Sequence, residues 1–283
     1  MNQAAVPPSP GASRERRILT GASLLILLGS FAYTQSNPAL LLSPEALRAI
    51  GSFAAAFFPP DLNRDFLSSS LGPVIETVQL ATAGVALAIL VGFPMALLAA
   101  GNFHLGGALF EGDPEPSPAV RRLRAAPYWL SRLLLNFMRS IPELIWALIF
   151  VRAVGLGPLA GILALGVAYA GILGKVFAEI MESADLRPAL ALRAAGASRP
   201  KVILYGIIPP IFRQFLSYAL YRWECAMRAA AIMGFVGAGG LGQHIEIAMR
   251  MFEHRQTATL ILELALLVAA ADFISSRLRR KLA

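Results

Sequence analysis

Predominantly apolar stretches long enough to cross a bilayer recur along this chain, and a crossing helix needs about 20 such residues. They lie near residues 18–34, 71–100, 130–154, 159–181, 211–235 and 256–276. A segment inside lipid has no water to satisfy its backbone N–H and C=O groups. Each run therefore predicts a helix, and the chain an all-α polytopic membrane protein with six transmembrane helices. The composition agrees, because 57% of the 283 residues are hydrophobic and only 15% are charged.

A net charge of +8 would suit nucleic acid if the basic residues formed one patch. They are parcelled out between the apolar runs instead. Arg14, Arg16 and Arg17 precede the first run, and Arg121, Arg122 and Arg124 separate the second from the third. Arg187 to Lys201 follow the fourth, and Arg277, Arg279, Arg280 and Lys281 follow the sixth. Lysine and arginine concentrate on the cytoplasmic side of membrane proteins. The pattern thus excludes nucleic acid, makes membrane lipid the surroundings, and predicts six spans with both termini cytoplasmic.

The layout follows. Residues 1–17 predict a disordered cytoplasmic tail, rich at its start in proline and small residues. Residues 18–34 predict an uncleaved first span rather than a signal peptide, because the run exceeds the usual core length and no Ala-x-Ala site follows. Residues 35–70 predict an extracytoplasmic segment, within which Ala46 to Phe58 is helical in pattern but too short to cross. Residues 71–276 hold the other five helices, with Pro94 bending the second span and Glu111 to Pro118 a solvated linker. Residues 277–283 predict a basic cytoplasmic tail. Cys225 is the only cysteine, so no intrachain disulfide can form.

Charges inside spans are the candidate path residues, since a mid-bilayer charge costs roughly 2.5–3.5 kcal/mol and tends to face protein or water. Arg139 and Glu143 sit four apart in the third span and share a helix face; Glu224 and Arg228 repeat the spacing in the fifth. Each pair either neutralises itself and pins neighbouring helices or lines a path for an anion, in which partly compensated arginines lower the barrier without trapping the oxyanion. On the path reading, Arg139 and Arg228 carry the role. Pro142 would leave a backbone carbonyl unpaired there, which is tolerated only against protein or water. Lys175 and Glu179, near the inner end of the fourth span, read as a rim pair.

One polar stretch interrupts the pattern. Arg187 to Pro210, RPALALRAAGASRPKVILYGIIPP, reads as a short helix–turn–helix. Pro188 falls in a first turn, Gly196 at a C-cap, Ser198 at an N-cap, and Pro209-Pro210 close the segment. A short apolar and basic helix between spans suits docking into a groove on a soluble partner; an ordinary cytoplasmic loop is the alternative.

Arg193-Ala194-Ala195-Gly196-Ala197-Ser198, with Pro209 thirteen positions after the glycine, resembles the coupling loop of binding-protein-dependent ABC importer permeases. Leu190 departs from that pattern, standing where the family has glutamate. Arg139-Ser-Ile-Pro-Glu-Leu-Ile-Trp, Gly155-Leu-Gly-Pro158, Ala170 to Glu179, Ser217 to Glu224 and Val236 to Gly242 resemble the phosphonate-type permeases specifically. The resemblance implies the type I importer permease fold in the bacterial inner membrane. It also implies a homodimer with the path between two copies, two ATP-binding subunits on the coupling loops, and a periplasmic or lipid-anchored substrate-binding protein. Phosphonate is the cargo it implies, with phosphite or hypophosphite the alternative. An ion-gradient-driven secondary carrier would show internal repeats, and none is convincing.

Gly237-Ala-Gly-Gly-Leu-Gly242 has the spacing of a dinucleotide loop, but an apolar helix precedes it where a strand is required. Gly237, Gly239, Gly240 and Gly242 read as a hinge or a close helix contact. No Gly-x-x-x-x-Gly-Lys-Ser/Thr loop occurs. The chain is therefore expected to hold no cofactor and to catalyse no covalent step, with ATP and magnesium bound by the partner ATPase. His104, His244 and His254 show no metal-ligand spacing.

Overall fold

A computed structural model describes residues 10–33, 43–106, 110 and 117–282. Among them the regular elements are eleven α-helices, a 3-10 turn at Gly101–Phe103 and a π-helical turn at Ile203–Ile207, with no strand. The chain divides into two units, residues 1–56 and 57–283.

In the first unit, α1 spans Pro10–Tyr33 and α2 spans Pro44–Ala56. Residues 10–17, expected to be disordered, are therefore helical, while residues 1–9 lie outside the described residues. Pro10 takes a position where no N–H is needed, and the arginines that follow favour helix. α2 accepts its Ala46 N–H on the Ser43 hydroxyl at 3.2 Å. Its 13 residues reach only about 20 Å, too short for a bilayer core.

The second unit holds α3 (Arg64–Ala99), α4 (Pro118–Ser140), α5 (Glu143–Val154) and α6 (Pro158–Glu182). After these come α7 (Arg187–Ala194), α8 (Arg199–Val202), α9 (Ile208–Gly234), α10 (Gly240–Arg250) and α11 (His254–Leu282). Four stretches are long and apolar enough to cross a membrane: α3, α6, Arg199–Gly234 and α11. A fifth arises if α4 and α5 count as one bent span. α1 is not among them, because charged residues fill its first turns and Gly21, Ser23, Gly29 and Ser30 dilute its apolar run. The described residues thus support four or five spans by this measure, not the expected six.

α6 is the most enclosed of these helices and α11 the least, with 61% and 22% of their most apolar windows buried. α6 runs parallel to α3 in close register, Gly84 meeting Leu165, Leu87 meeting Gly166 and Gly92 meeting Gly174. Association inside lipid depends on close van der Waals packing, which small residues permit. A Cβ on Gly174 would stand 2.9 Å from the Gly92 carbonyl oxygen. Gly174→Ala should therefore force the two helices apart at a cost of about 1–2 kcal/mol, read as a lowered Tm in detergent. An unchanged Tm would show that this contact is slack.

Several boundaries differ from expectation. α3 begins at Arg64, absorbing the end of the expected outer segment, whose residues 57–63 are strapped to α11. Asp61 N–H donates to the Arg255 carbonyl at 3.2 Å, and Thr259 Oγ1 donates to the Asp61 carbonyl at 2.8 Å. The expected tail 277–283 is helical through Leu282. Of the linker, residues 111–116 lie outside the described residues. The expected third span is two helices meeting at 90°.

The far end of α6 is tied down by Glu182, which pairs with Arg132 at 2.7 Å and accepts the Gly101 N–H at 2.6 Å. Lys175 and Glu179 approach to 3.5 Å and are partly exposed, as a rim pair would be.

Candidate functional site

Between α6 and α9 the chain builds a compact helical projection. α7 ends in a Schellman turn, with Ala197 N–H donating to the Leu192 carbonyl at 3.0 Å and Gly196 N–H to the Arg193 carbonyl at 2.9 Å. That turn needs a left-handed residue, and Gly196 supplies it at φ +84°. Ser198 takes the N-cap position of α8, but its hydroxyl makes no capping bond. Ala189, Val202, Gly206 and Ile207 are buried and seat the projection, whereas Ala191, Ala194, Ala195, Gly196, Ser198 and Lys201 are exposed. The outward surface is therefore small-residued and basic, which suits a groove. Leu190 is half-buried. At the flank, the Arg199 guanidinium lies 4.2 Å from the Phe110 ring centroid, linking α8 to the α3–α4 connection.

Pro209 and Pro210 do not close this segment. They lie in the first turn of α9, and helix runs on from α8 through the π turn, where Ile208 N–H reaches five residues back to the Ile203 carbonyl. Prolines remove two donors, and a wider turn lets the helix continue past them. Arg187, the first residue of α7, pairs with Asp185 at 2.7 Å, and its hydrogen bonds hold that exposed carboxyl below its usual pKa.

The bend between α4 and α5 separates two predicted partners. Arg139 ends α4, is exposed, and donates to Asn136 Oδ1 at 3.1 Å; Glu143 begins α5 and is half-buried. They share no helix face, and among the described residues no ion pair joins them. The expectation of a mutual pair fails because Ile141 and Pro142 leave the helical conformation. Nor is the carbonyl left bare. Proline removes the donor that would reach Met138, and the Trp146 indole N–H takes that carbonyl at 3.1 Å. Trp146→Phe should cost about 1–2 kcal/mol through the unsatisfied carbonyl, read as reduced thermal stability. A Tm equal to wild type would mean that water reaches Met138.

On α9 the predicted pair forms and gains a third member. Glu224, only 6% exposed, meets Arg228 at 3.7 Å through one carboxylate oxygen and Arg279 of α11 at 3.2 Å through the other. The sequence places Arg279 in a basic cytoplasmic tail; the added turns of α11 bring it here. Arg222 points elsewhere, donating to the Tyr218 hydroxyl at 2.9 Å. Tyr169 of α6 is buried. α6 packs against both α5 and α9, and a Cβ on its Gly171 would stand 2.7 Å from the Arg139 backbone nitrogen, so the helix break and the α9 charges flank the same helix.

The glycine segment is a tight connection. Gly237, Gly239 and Gly240 have positive φ, and Gly157 N–H donates to the Gly237 carbonyl at 2.9 Å. Gly242 has no unusual φ, but a Cβ there would collide with the Ala231 carbonyl. Leu241 N–H donates to Thr77 Oγ1 at 2.8 Å, anchoring the start of α10 on α3.

Residues 117–283 match the family model described as binding-protein-dependent transport system inner membrane component. A phosphite transport system permease protein of Stutzerimonas stutzeri is 37% identical over 83% of this chain and 78% of its own length. A putative phosphite transport system permease protein of the same organism is 36% identical over 95% of this chain and 88% of its own. Among solved structures, an inward-facing MetNI methionine ABC transporter chain superposes with a TM-score of 0.63 at 21% identity, covering 78% of this chain and 100% of that one. An amino acid ABC transporter chain gives a TM-score of 0.57 at 17% identity, again over 78% of this chain and 100% of its own.

Proposed function

This chain belongs to the binding-protein-dependent transport system inner membrane components, and from that premise we propose that it is the permease subunit of an ATP-driven importer of phosphorus oxyanions. The projection formed by α7 and α8 carries the reading. It is an exposed, small-residued, basic surface seated between two spans on buried Ala189, Val202, Gly206 and Ile207, which suits a groove on a separate ATPase. The cargo class rests on the relatives, whose printed names specify phosphite, phosphate and phosphonate. All are tetrahedral phosphorus oxyanions, and the binding protein sets the choice among them.

In this reading two copies form a homodimer in the bacterial inner membrane with the path between them. Two ATPase subunits, which hold the ATP and magnesium, dock on the projections, and a periplasmic or lipid-anchored protein delivers cargo. Six spans, counting α1, place both termini in the cytoplasm. Closure of the ATPases displaces α7 and α8, and the π turn transmits the displacement along α9. Glu143, Glu224 and Arg228 lie along the path, with Arg139 at its edge, and the segment from Gly237 to Gly242 flexes at the far end of α9.

The test is uptake into proteoliposomes holding the chain, its ATPase and a binding protein, with phosphite and methylphosphonate compared. Uptake that needs both internal ATP and binding protein is expected. Uptake driven by an ion gradient without the ATPase would replace this reading with a secondary carrier.

A further inference from the structure

Arg213, Ser217, Tyr221, Glu224 and Arg228 recur every three or four residues and so share one face of α9. From Arg228 to Arg213 this column covers about 22 Å of helix. Arg213, Tyr221 and Arg228 are exposed on it. Arginine against hydrocarbon is costly, so such a face borders water or protein.

The column ends in an open cleft of about 420 Å³ between α9 and α11, lined by Arg213, Gln214, Ser217, Tyr218, Tyr221, Arg279 and Leu282. Its lining begins at Arg213, about one turn after Pro209, at the same end of α9 as the α7–α8 projection. Its charged lining is two guanidiniums and no carboxylate. Glu224 accepts a hydrogen bond from Arg279 Nη2 and fixes that side chain, which also stacks 5.6 Å from the Tyr221 ring centroid. Tyr218 already accepts a hydrogen bond from Arg222 at 2.9 Å, so its own O–H remains available as a donor. Ser217, Gln214 and the two phenols add donors beside the guanidiniums, while Leu282 and the tyrosine rings supply apolar wall, a combination that suits a small oxyanion carrying an organic group.

We propose that this cleft binds a tetrahedral phosphorus oxyanion, as a discrete subsite at the end of the path nearest the projection. The cargo assignment rests on the importer reading; the anion chemistry rests on the cleft alone. A phosphate group of that chemistry could come from the transported solute or from an anionic lipid headgroup reaching between α9 and α11.

The experiment uses the permease–ATPase complex in phosphatidylcholine nanodiscs, titrated with methylphosphonate and then with inorganic phosphate by calorimetry. Arg213→Gln should weaken binding about tenfold or more, as loss of a charge-assisted contact does, while ATPase recruitment is kept. Ser217→Leu, which fills the cleft without removing charge, should do the same. The surface variant Arg250→Gln should bind as wild type does. Adding phosphatidylglycerol identifies the source. Lipid that co-purifies with wild type, is lost in Arg213→Gln and blocks the titration assigns the site to a headgroup; an unaffected titration assigns it to the solute. Wild type that binds none of the three probes, or Arg213→Gln that binds them equally well, overturns the proposal. A complex that binds the oxyanion but never couples to ATP hydrolysis would instead overturn the importer reading and leave the subsite standing.

Discussion

Gly196→Val is expected to abolish binding-protein-stimulated ATP hydrolysis while leaving the spans folded. Gly196 sits at φ +84°, a conformation that costs an L-residue roughly 1–2 kcal/mol, and more when β-branched. Its Cβ would meet nothing within 4 Å, so the penalty is conformational and falls on the turn alone. Losing the turn frees the Arg193 and Leu192 carbonyls and lets α7 and α8 change their relative angle, so the docking surface no longer fits its groove. Gly196→Asn provides the control, because asparagine tolerates the left-handed region. The check is ATPase activity of the reconstituted complex together with co-purification of the ATPase. Stimulated hydrolysis retained by the valine variant would remove this turn from the coupling step, and with it the main support for the docking assignment.

Glu224→Ala is expected to destabilise the permease by about 3 kcal/mol, the low end for breaking a buried ion pair, and so to lower Tm by roughly 6–10 °C. The carboxylate is enclosed and serves two arginines at once, one through each oxygen. The estimate stays low because Arg228 is 54% exposed and can turn toward solvent, whereas Arg279 is largely covered. The double variant Glu224→Gln, Arg279→Gln replaces the buried charges by a neutral hydrogen-bonding pair and should recover most of the loss. A Glu224→Ala variant melting within a degree of wild type would show that water already solvates both guanidiniums.

The rough positions of the long helices were legible in the sequence, since hydropathy over about 20 residues is a local property that lipid enforces directly. The turn at Gly196 was legible for the same reason. A glycine at a C-cap is a statement about one residue's φ, and the neighbouring prolines mark where helices can start. α1 shows the limit of that signal, being helical yet too interrupted by arginine, glycine and serine to qualify as a span by composition.

The break at Pro142 was visible only as a perturbation. Nothing local told that the chain turns by 90° there or that the Trp146 indole would find the freed carbonyl. Separating Arg139 from Glu143 followed from that turn, because the i, i+4 rule holds only while the helix continues. In the same way, Pro209 and Pro210 looked like a terminus until a π turn carried the helix past them.

Membrane residence, helical class and the glycine turn of the projection were therefore determined by the sequence alone, because each depends on contacts within a few residues. The partners of the charges were decided by tertiary structure. Arg279 meets Glu224 across 55 positions and Arg132 meets Glu182 across 50. A side chain's charge is written in the sequence, but its counter-charge is chosen by which helices lie side by side, and that depends on the packing of α3, α6, α9 and α11 together.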